Sequence, residues 1–493
     1  MDIKTALLLP VVCFALVACN SDNDAPKVDS ITPSSILAGQ ETLTIRFTES
    51  VKPDSLSLAS ASLNQADFNV VWNDDNTQVI ITPVSHWPGG EHQVTIEVKD
   101  EANNKLTPIA HRIKANLVFE NFQHASAEIV AQAADEGEET APEFTIESPF
   151  SSQFANSDGL WIASYGSSTL HFFSDVPEEN GAQADYVITS FETLNEDQEV
   201  ESVDLNGPQT PFVVNGQLLL VEYDSGSIVV FDEIPKPDQD NFAFQIDTDS
   251  VECSALNFSS PEAIFSVDGK LLLADADNNR VLIWNQIPTD ANDEPDLVVG
   301  QNSFTNCAEN DEDQSGTNED EETATARTLA FPTGLWSDGE RLLVAESNRV
   351  LIWNQFPDAN FVEADLVLGQ QDFNSQDSNF DPDEELDGEP SNRNFDELYE
   401  GISSNGRQIY ATDSQNHRVM IWNDWPTENF APADIVLGQS TFTNNGSNDD
   451  DQSGDSDAPT LRVMDSPAGV TVFDDKLIVS DVNNDRVLIF KSL

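Results

Sequence analysis

The segment Arg280-Val-Leu-Ile-Trp-Asn285, preceded by the turn Asp275-Ala-Asp-Asn-Asn279, decides how this chain is read, because it recurs. Arg349-Val-Leu-Ile-Trp-Asn354, Arg418-Val-Met-Ile-Trp-Asn423 and Arg486-Val-Leu-Ile-Phe490 follow at steps of 69, 69 and 68 residues. A fixed period of this length marks a repeat architecture, in which each unit needs its neighbours to cover its apolar faces. Working outward from Arg280, each repeat reads as four short strands. A first strand near Ala263-Ile-Phe-Ser266 passes through the tight turn Asp268-Gly269 into Leu271-Leu-Leu-Ala274. The turn 275–279 leads into Val281-Leu-Ile-Trp284, and a loop with Pro288 leads into Asp296-Leu-Val-Val-Gly300. That last strand recurs as Asp365-Leu-Val-Leu-Gly-Gln370 and Asp434-Ile-Val-Leu-Gly-Gln439. Two more divergent copies come earlier, through Leu160-Trp-Ile-Ala163 with Leu170-His-Phe-Phe173, and through Leu218-Leu-Leu-Val221 with Ile228-Val-Val-Phe231.

The sixth copy ends at Leu493 with three strands. The missing fourth is found at the other end of the region, where Ala127-Glu-Ile-Val-Ala-Gln132 is similar to Ala433-Asp-Ile-Val-Leu-Gly-Gln439. An unpaired sheet edge is a template for unwanted association, and circular closure removes it. Residues 117–493 are therefore expected to form a six-bladed β-propeller closed by the N-terminal strand 127–132, rather than an open array.

Ahead of the repeats, residues 27–116 carry short alternating runs such as Leu43-Thr-Ile-Arg-Phe47 and Val94-Thr-Ile-Glu-Val98, separated by turn clusters. Period two with frequent turns predicts a small antiparallel sandwich, so the whole chain is expected to be all-β. The first residues read differently. Thr5 to Ala18 is an apolar run of signal-peptide length, ending in Leu16-Val-Ala-Cys19 and followed by polar residues. This pattern resembles a bacterial lipoprotein signal, which implies lipidation of Cys19 after removal of residues 1–18, a tether over 19–26, and an outer-membrane destination. The membrane is then met only through the lipid. Two cysteines, Cys253 and Cys307, remain in the repeats as an even pair in an oxidising compartment.

Two further resemblances follow from quoted residues. Asp275-x-x-Asn-Asn-Arg280-Val, Asp413-x-x-Asn-His-Arg418-Val and Asp481-x-x-Asn-Asp-Arg486-Val, with Pro261-Glu-Ala, Pro332-Thr-Gly and Pro467-Ala-Gly before them, look like NHL repeats. The first two copies depart from the pattern, with Thr169 and Ser227 in place of Arg, and the fourth shortens its turn to Glu346-Ser-Asn-Arg349. The stretch from Val28 to Lys105 resembles a bacterial immunoglobulin-like domain, a type of module that usually serves as a spacer.

Acidic residues outnumber basic ones 89 to 21, a formal net charge of −68. That excludes nucleic acid and anionic bilayers as partners of the folded part and favours cations. The repeat residues Asp275, Arg280, Arg349, Asp413, Arg418, Asp481 and Arg486 are expected to hold turns: the acid caps its turn and the arginine pairs with a carboxylate. Two acidic loops fit a calcium-loop spacing. Asp311, Asp313, Ser315, Glu319 and Glu322 form one set, and Asp449, Asp451, Ser453 and Asp457 the other, with Thr460 where a closing Glu would stand. Residues 383–388 are a looser third case. A four-stranded meander places the second-to-third turns and the fourth-to-first loops on one face. That face would carry Asp275, Asp277, Asp413, Asp481, the acidic loops and, in successive loops, Cys253 and Cys307, where a disulfide would pin long connections. The segments Trp284–Pro288, Trp353–Pro357 and Trp422–Pro426 fall on the other face, as packing between blades or as an aromatic strip joined by Trp425. His124, His171 and His417 occupy non-equivalent positions, and no nucleophile elbow or phosphate-binding glycine loop is present. The expected function is a monomeric, envelope-anchored binding or scaffold module for a protein or glycan, with calcium as its cofactor. The rival is a metal-dependent lactonase- or lyase-like enzyme working at the central channel, and a third reading is a calcium-stiffened surface protein.

Overall fold

The computed structural model describes residues 24–493 apart from 35, 61, 64, 131–144, 195–198, 238, 240, 247–251, 317–322 and 383–387. Cys19, Glu319, Glu322 and residues 131–132 of the expected closing strand lie outside the described residues. Among the described residues no helix is long and apolar enough to cross a membrane. The chain divides into two compact units, Met1–His86 with His92–Ile113, and Trp87–Glu91 with Lys114–Leu493.

The first unit holds a four-stranded sheet in the order Val28–Thr32, Leu43–Phe47, Gln78–Pro83, Phe68–Trp72. A three-stranded sheet carries Ser57–Ala59, Gly90–Glu97 and Ile109–Ala115. Burial alternates along Gly90–Glu97, as period two requires of a strand with one face on a core. Ile45, Val79, Ile81, Val94 and Ile96 fill that core.

The second unit is built from six four-stranded antiparallel sheets. The third shows the pattern: Pro261–Val267, Lys270–Asp275, Arg280–Trp284 and Leu297–Val299 pair in that order. The first sheet begins at Phe154–Asn156, the second at Pro208–Val214, the fourth at Pro332–Ser337 and the fifth at Ile402–Ser404. The sixth consists of Pro467–Phe473, Lys476–Asp481, Arg486–Lys491 and, as its fourth strand, Ala127–Val130. Ala127 pairs with Ile489 and Val130 with Arg486, so the strand that opens the repeat region completes the last sheet. A hairpin that the repeat pattern does not contain, Ser190–Leu194 with Val200–Asp204, stands between the first and second sheets.

Second and third strands are buried along nearly all of their length, and along all of it at Leu342–Glu346 and Arg349–Trp353. Their apolar runs are unbroken because both faces are covered by neighbouring sheets. Leu272, Val281 and Ile283 of the third sheet pack with Leu342, Val344 and Leu351 of the fourth. Ile478, Val487 and Ile489 of the sixth pack with Leu160 and Ile162 of the first. First strands, with the segments that enter them, also touch in succession. Thr210 N donates to Ser151 Oγ (2.8 Å), Thr210 Oγ1 to Glu262 O (3.0 Å) and Thr333 Oγ1 to Tyr399 O (3.0 Å), while Thr412 Oγ1, from the fifth sheet's second strand, donates to Ala468 O (2.7 Å). The third and fourth first strands are in contact, and Ser480 Oγ donates to Ser151 O (2.8 Å) between the sixth sheet and the segment entering the first. The approach is close enough that a Cβ on Gly469 would lie 2.1 Å from Ser151 O. The unit is all-β and propeller-like.

A buried acid–arginine pair ties the turn of each late sheet to its loops. Arg280 Nε donates to Asp275 Oδ2, Arg418 Nε to Asp413 Oδ2 and Arg486 Nε to Asp481 Oδ2, each at 2.7 Å, and Arg349 Nε to Glu346 Oε1 at 2.5 Å. The rest of the guanidinium serves main-chain oxygens in the third sheet, where Arg280 reaches Phe304 O (2.7 Å), Ser254 O (2.7 Å) and Asn257 O (2.9 Å), whereas Arg486 also donates to the carboxylate of Glu128 (2.9 Å). Each acid also accepts a side-chain amide, from Asn278, Gln376, Asn416 or Asn484, and a backbone N–H at the entry to the first strand, from Ser259, Ala330, Asp396 or Asp465 (2.7, 2.8, 2.7 and 2.7 Å). Sheets lacking the arginine use neutral donors. Glu222 accepts from Asn206 N, Ser225 Oγ and Gln245 Nε2, and burial pushes its carboxyl up. In the first sheet Ser164, Ser167, Thr169 and His171 form a hydroxyl–imidazole chain, and burial holds His171 down to about 4. Removing one partner of a buried pair leaves an uncompensated charge, at about 3–5 kcal/mol. Arg418→Ala is expected to lower the urea-unfolding free energy by about that amount, whereas Arg407→Ala, whose pairing with Asp424 lies at the surface, changes it by less than about 1 kcal/mol.

Candidate functional site

The first strands carry the site. Aligned on Phe150, Pro208, Pro261, Pro332, Tyr399 and Pro467, they place Ser151, Gln209, Glu262, Thr333, Glu400 and Ala468 at one level. Three residues further on stand Phe154, Phe212, Phe265, Trp336, Ser403 and Thr471. All six strands contribute to one cavity of about 200 Å³, lined by this second set together with Gln153, Thr210, Ile264, Glu400, Ile402 and Val472, among others. Three phenylalanines make a continuous arc, with ring centroids of Phe154 and Phe212 4.7 Å apart and those of Phe212 and Phe265 5.2 Å apart, and Trp336 extends the aromatic lining. Ser403 and Thr471 give the other side hydroxyls.

Two carboxyls meet at the polar level. Glu262 and Glu400 are 5% and 1% exposed. Thr210 Oγ1 donates to Glu400 Oε2 (2.6 Å). Gln209, with its amide nitrogen turned toward the acids, donates to Glu400 Oε1 (2.8 Å) and Glu262 Oε2 (3.2 Å). Burial pushes the Glu262 carboxyl up to about 8. Burial, with the neighbouring Glu262 charge, pushes Glu400 well above the carboxylate range. Two adjacent carboxyls in a low-dielectric site hold a proton between them rather than ionise together.

The residues expected from sequence lie elsewhere. Cys253 and Cys307 are joined by a disulfide between successive fourth-to-first loops. Asp449, Asp451 and Asp457 bring carboxylate oxygens within 4.8 Å of one another. Asp449 also accepts from Ser453 N (2.9 Å) and Gly454 N (2.7 Å), and Thr460 Oγ1 donates to Asp450 (3.3 Å). In the other loop Asp311 accepts from Asn306 Nδ2, Ser315 N and Gly316 N; desolvation opposes them, yet these donors keep its carboxyl below the usual range. Asp313 Oδ1 accepts from Ser315 N (2.9 Å). The tryptophans are packing residues: Trp284, Trp353 and Trp422 are buried and donate to Asp293, Val362 and Ala431 carbonyls. None of His124, His171 and His417 lines the cavity. The dyad and the aromatic arc are not signalled by the repeat motif, although Glu262 stands inside its Pro261-Glu-Ala start. The available signal was positional: Gln209, Glu262 and Glu400 break, at one register, a level that is small or hydroxylic in the other sheets.

Among known proteins, residues 22–120 match the family model described as bacterial Ig-like domain. No curated protein matches the chain. The solved structures it resembles include a protein of unknown function from Bacteroides thetaiotaomicron, at 9% identity and a TM-score of 0.42, covering 95% of this chain and 98% of that one. An auxiliary nutrient binding protein from the same organism shares 8% identity over 95% and 97% of the two chains, with a TM-score of 0.28. A Bacteroides uniformis protein provisionally assigned as a 6-phosphogluconolactonase shares 13% over 74% and 83%, with a TM-score of 0.30. At these values ligand and activity have to be argued from the chain's own residues.

The dyad makes stability depend on pH. A carboxyl whose folded pKa is raised contributes stability that is complete below its unfolded value and is lost as pH rises through the folded one. Wild-type melting temperature is therefore expected to fall between about pH 4.5 and 8. Glu262→Gln is expected to flatten that slope in thermal melts, and an unchanged slope would rule out the shared proton.

Proposed function

We propose that this chain is an envelope-anchored lipoprotein whose repeats form a closed, six-bladed NHL-like propeller that binds a small ligand in its central cavity. The Ig-like module acts as its spacer. The observation that carries this reading is the cavity of about 200 Å³ to which all six first strands contribute. Its lining joins an aromatic arc to a few hydroxyls and one buried acid, the mixture by which small-molecule sites bury a ligand and orient it. The pairing of Ala127–Val130 with Arg486–Ile489 supports closure, and closure lets six strands converge without a free edge. The lactonase- or lyase-like alternative needs a metal position at the channel. The three-carboxylate group Asp449, Asp451 and Asp457 stands instead in the loop that leads to the sixth sheet.

That group fits calcium by its donors: hard carboxylate oxygens around a turn with Gly454 at φ +91°. Calcium held there would tie down an acidic loop in a strongly negative protein. Calcium at 100-fold its dissociation constant would add about 2.7 kcal/mol to stability. A thermal melt of the full chain is expected to shift down on adding chelator and to recover with calcium; Asp449→Ala removes the shift, and superimposable curves would eliminate the site.

The cavity is tested by ligand-observed NMR with a panel of sugars, amino acids and amines. Hits to wild type are expected to vanish in Ser403→Trp, a variant that fills the cavity and whose melt is checked for folding, and to remain chemically unchanged over hours. Binding that survives the filled cavity overturns the reading. Conversion of a hit supports the enzyme.

A further inference from the structure

We infer that the central cavity takes an organic ammonium ion, seated with its charge against Glu400 and its carbon skeleton on the Phe154–Phe212–Phe265–Trp336 arc. This deepens the binding-module reading above and rests on it.

The first observation is a missing counter-charge. The late sheets give each buried turn acid an arginine: Asp275, Glu346, Asp413 and Asp481 are all so paired. Glu222, which has none, stands alone among neutral donors. Glu262 and Glu400 are different. They are two acids in one buried place, and the side chains that reach them, Gln209 and Thr210, are neutral. Neither makes an ion pair among the described residues. A cation from outside is the species that lets both ionise, and Glu400 lines the cavity through which it would arrive.

The second observation is what surrounds that acid. The aromatic arc lies three residues along the strands on one side. One residue the other way, Phe150 and Tyr399 pack at 5.0 Å. Ring faces attract ammonium groups, most strongly where water is excluded. A bare metal ion would call for several more converging oxygens than this apolar lining supplies, whereas an alkylammonium uses both the acid and the rings. The net charge of −68 draws cations in and keeps anions out.

Binding would displace the proton shared by the dyad, so affinity rises with pH. The charged and titratable groups facing it are Asp277, whose charge acts on Glu262, and the neutral phenols of Tyr165 and Tyr399. Burial, then the Glu397 charge, pushes Tyr399 up to about 12.

Calorimetry on the full chain uses choline as probe, with 3,3-dimethylbutan-1-ol as its neutral isostere and methyl β-glucoside as a sugar, at pH 6, 7.5 and 9. Choline is expected to bind about tenfold or more tighter than the isostere, and tighter at pH 9 than at pH 6. Glu400→Gln is expected to lose about tenfold or more while melting at or above wild type at pH 8, because it removes one buried acid. Equal binding of isostere and choline, an affinity indifferent to pH, or unchanged choline binding by a folded Glu400→Gln overturns the inference. Glucoside binding that Trp336→Ala abolishes would leave the cavity reading standing and the cation reading lost. If no probe binds, and hits in the NMR panel ignore Ser403→Trp, both fall.

Discussion

The structure depends on one repeated constraint: an acid at the end of the second strand must be buried without being left unpaired. Asp413 shows how this is met. Its carboxylate takes Arg418 Nε, the Asn416 amide nitrogen shared across both oxygens, and the N–H of Asp396 in the segment that enters the first strand. Arg418 in turn donates to the main-chain oxygens of Phe442, Ser391 and Asn394. Replacing such a pair with apolar residues often costs nothing in stability. What it supplies here is geometry: turn, incoming loop and outgoing loop are held to one point.

That geometry is transmitted inward. The donors to these acids sit two residues before Pro208, Pro261, Pro332 and Pro467, in the forms of Asn206, Ser259, Ala330 and Asp465. The residue after each proline belongs to the polar level beside the cavity. Fixing the entry therefore fixes where Gln209 and Glu262 present their side chains. Glutamine amides lock the outgoing side: Gln301 donates to Asn279 O and Ala308 O, and Gln370 to Asn348 O and Asp377 O. A rigid frame of this kind can hold two carboxyls together at an electrostatic cost, as functional sites commonly do.

The acidic surface and the acidic centre have different physics. Most of the acids among the described residues are solvent-accessible, and their effect is a screened negative field. Glu262 and Glu400 are removed from that screening, so their neighbours matter far more than the total charge. The same residue type is therefore a solubility device in one place and a proton-holding pair in the other.

The repeats, the approximate strand positions and a turn-holding role for Asp275 and Arg280 were legible in the sequence, because they follow from short-range causes, apolar periodicity and turn chemistry; that the two pair with each other is seen in the structure. The pairing of Ala127–Val130 with the last sheet was legible too, from the similarity of two strand sequences and the cost of an open edge. The extra hairpin at Ser190–Asp204 was not, since it belongs to no repeat. The dyad was not either. Gln209, Glu262 and Glu400 come from three different sheets, and nothing local distinguishes a glutamate after a proline from any other solvated acid. Only when six first strands are brought side by side do they share one desolvated point with an aromatic cavity beside it. Local sequence decides strands and turns; the low-dielectric meeting of distant side chains exists only in the tertiary structure.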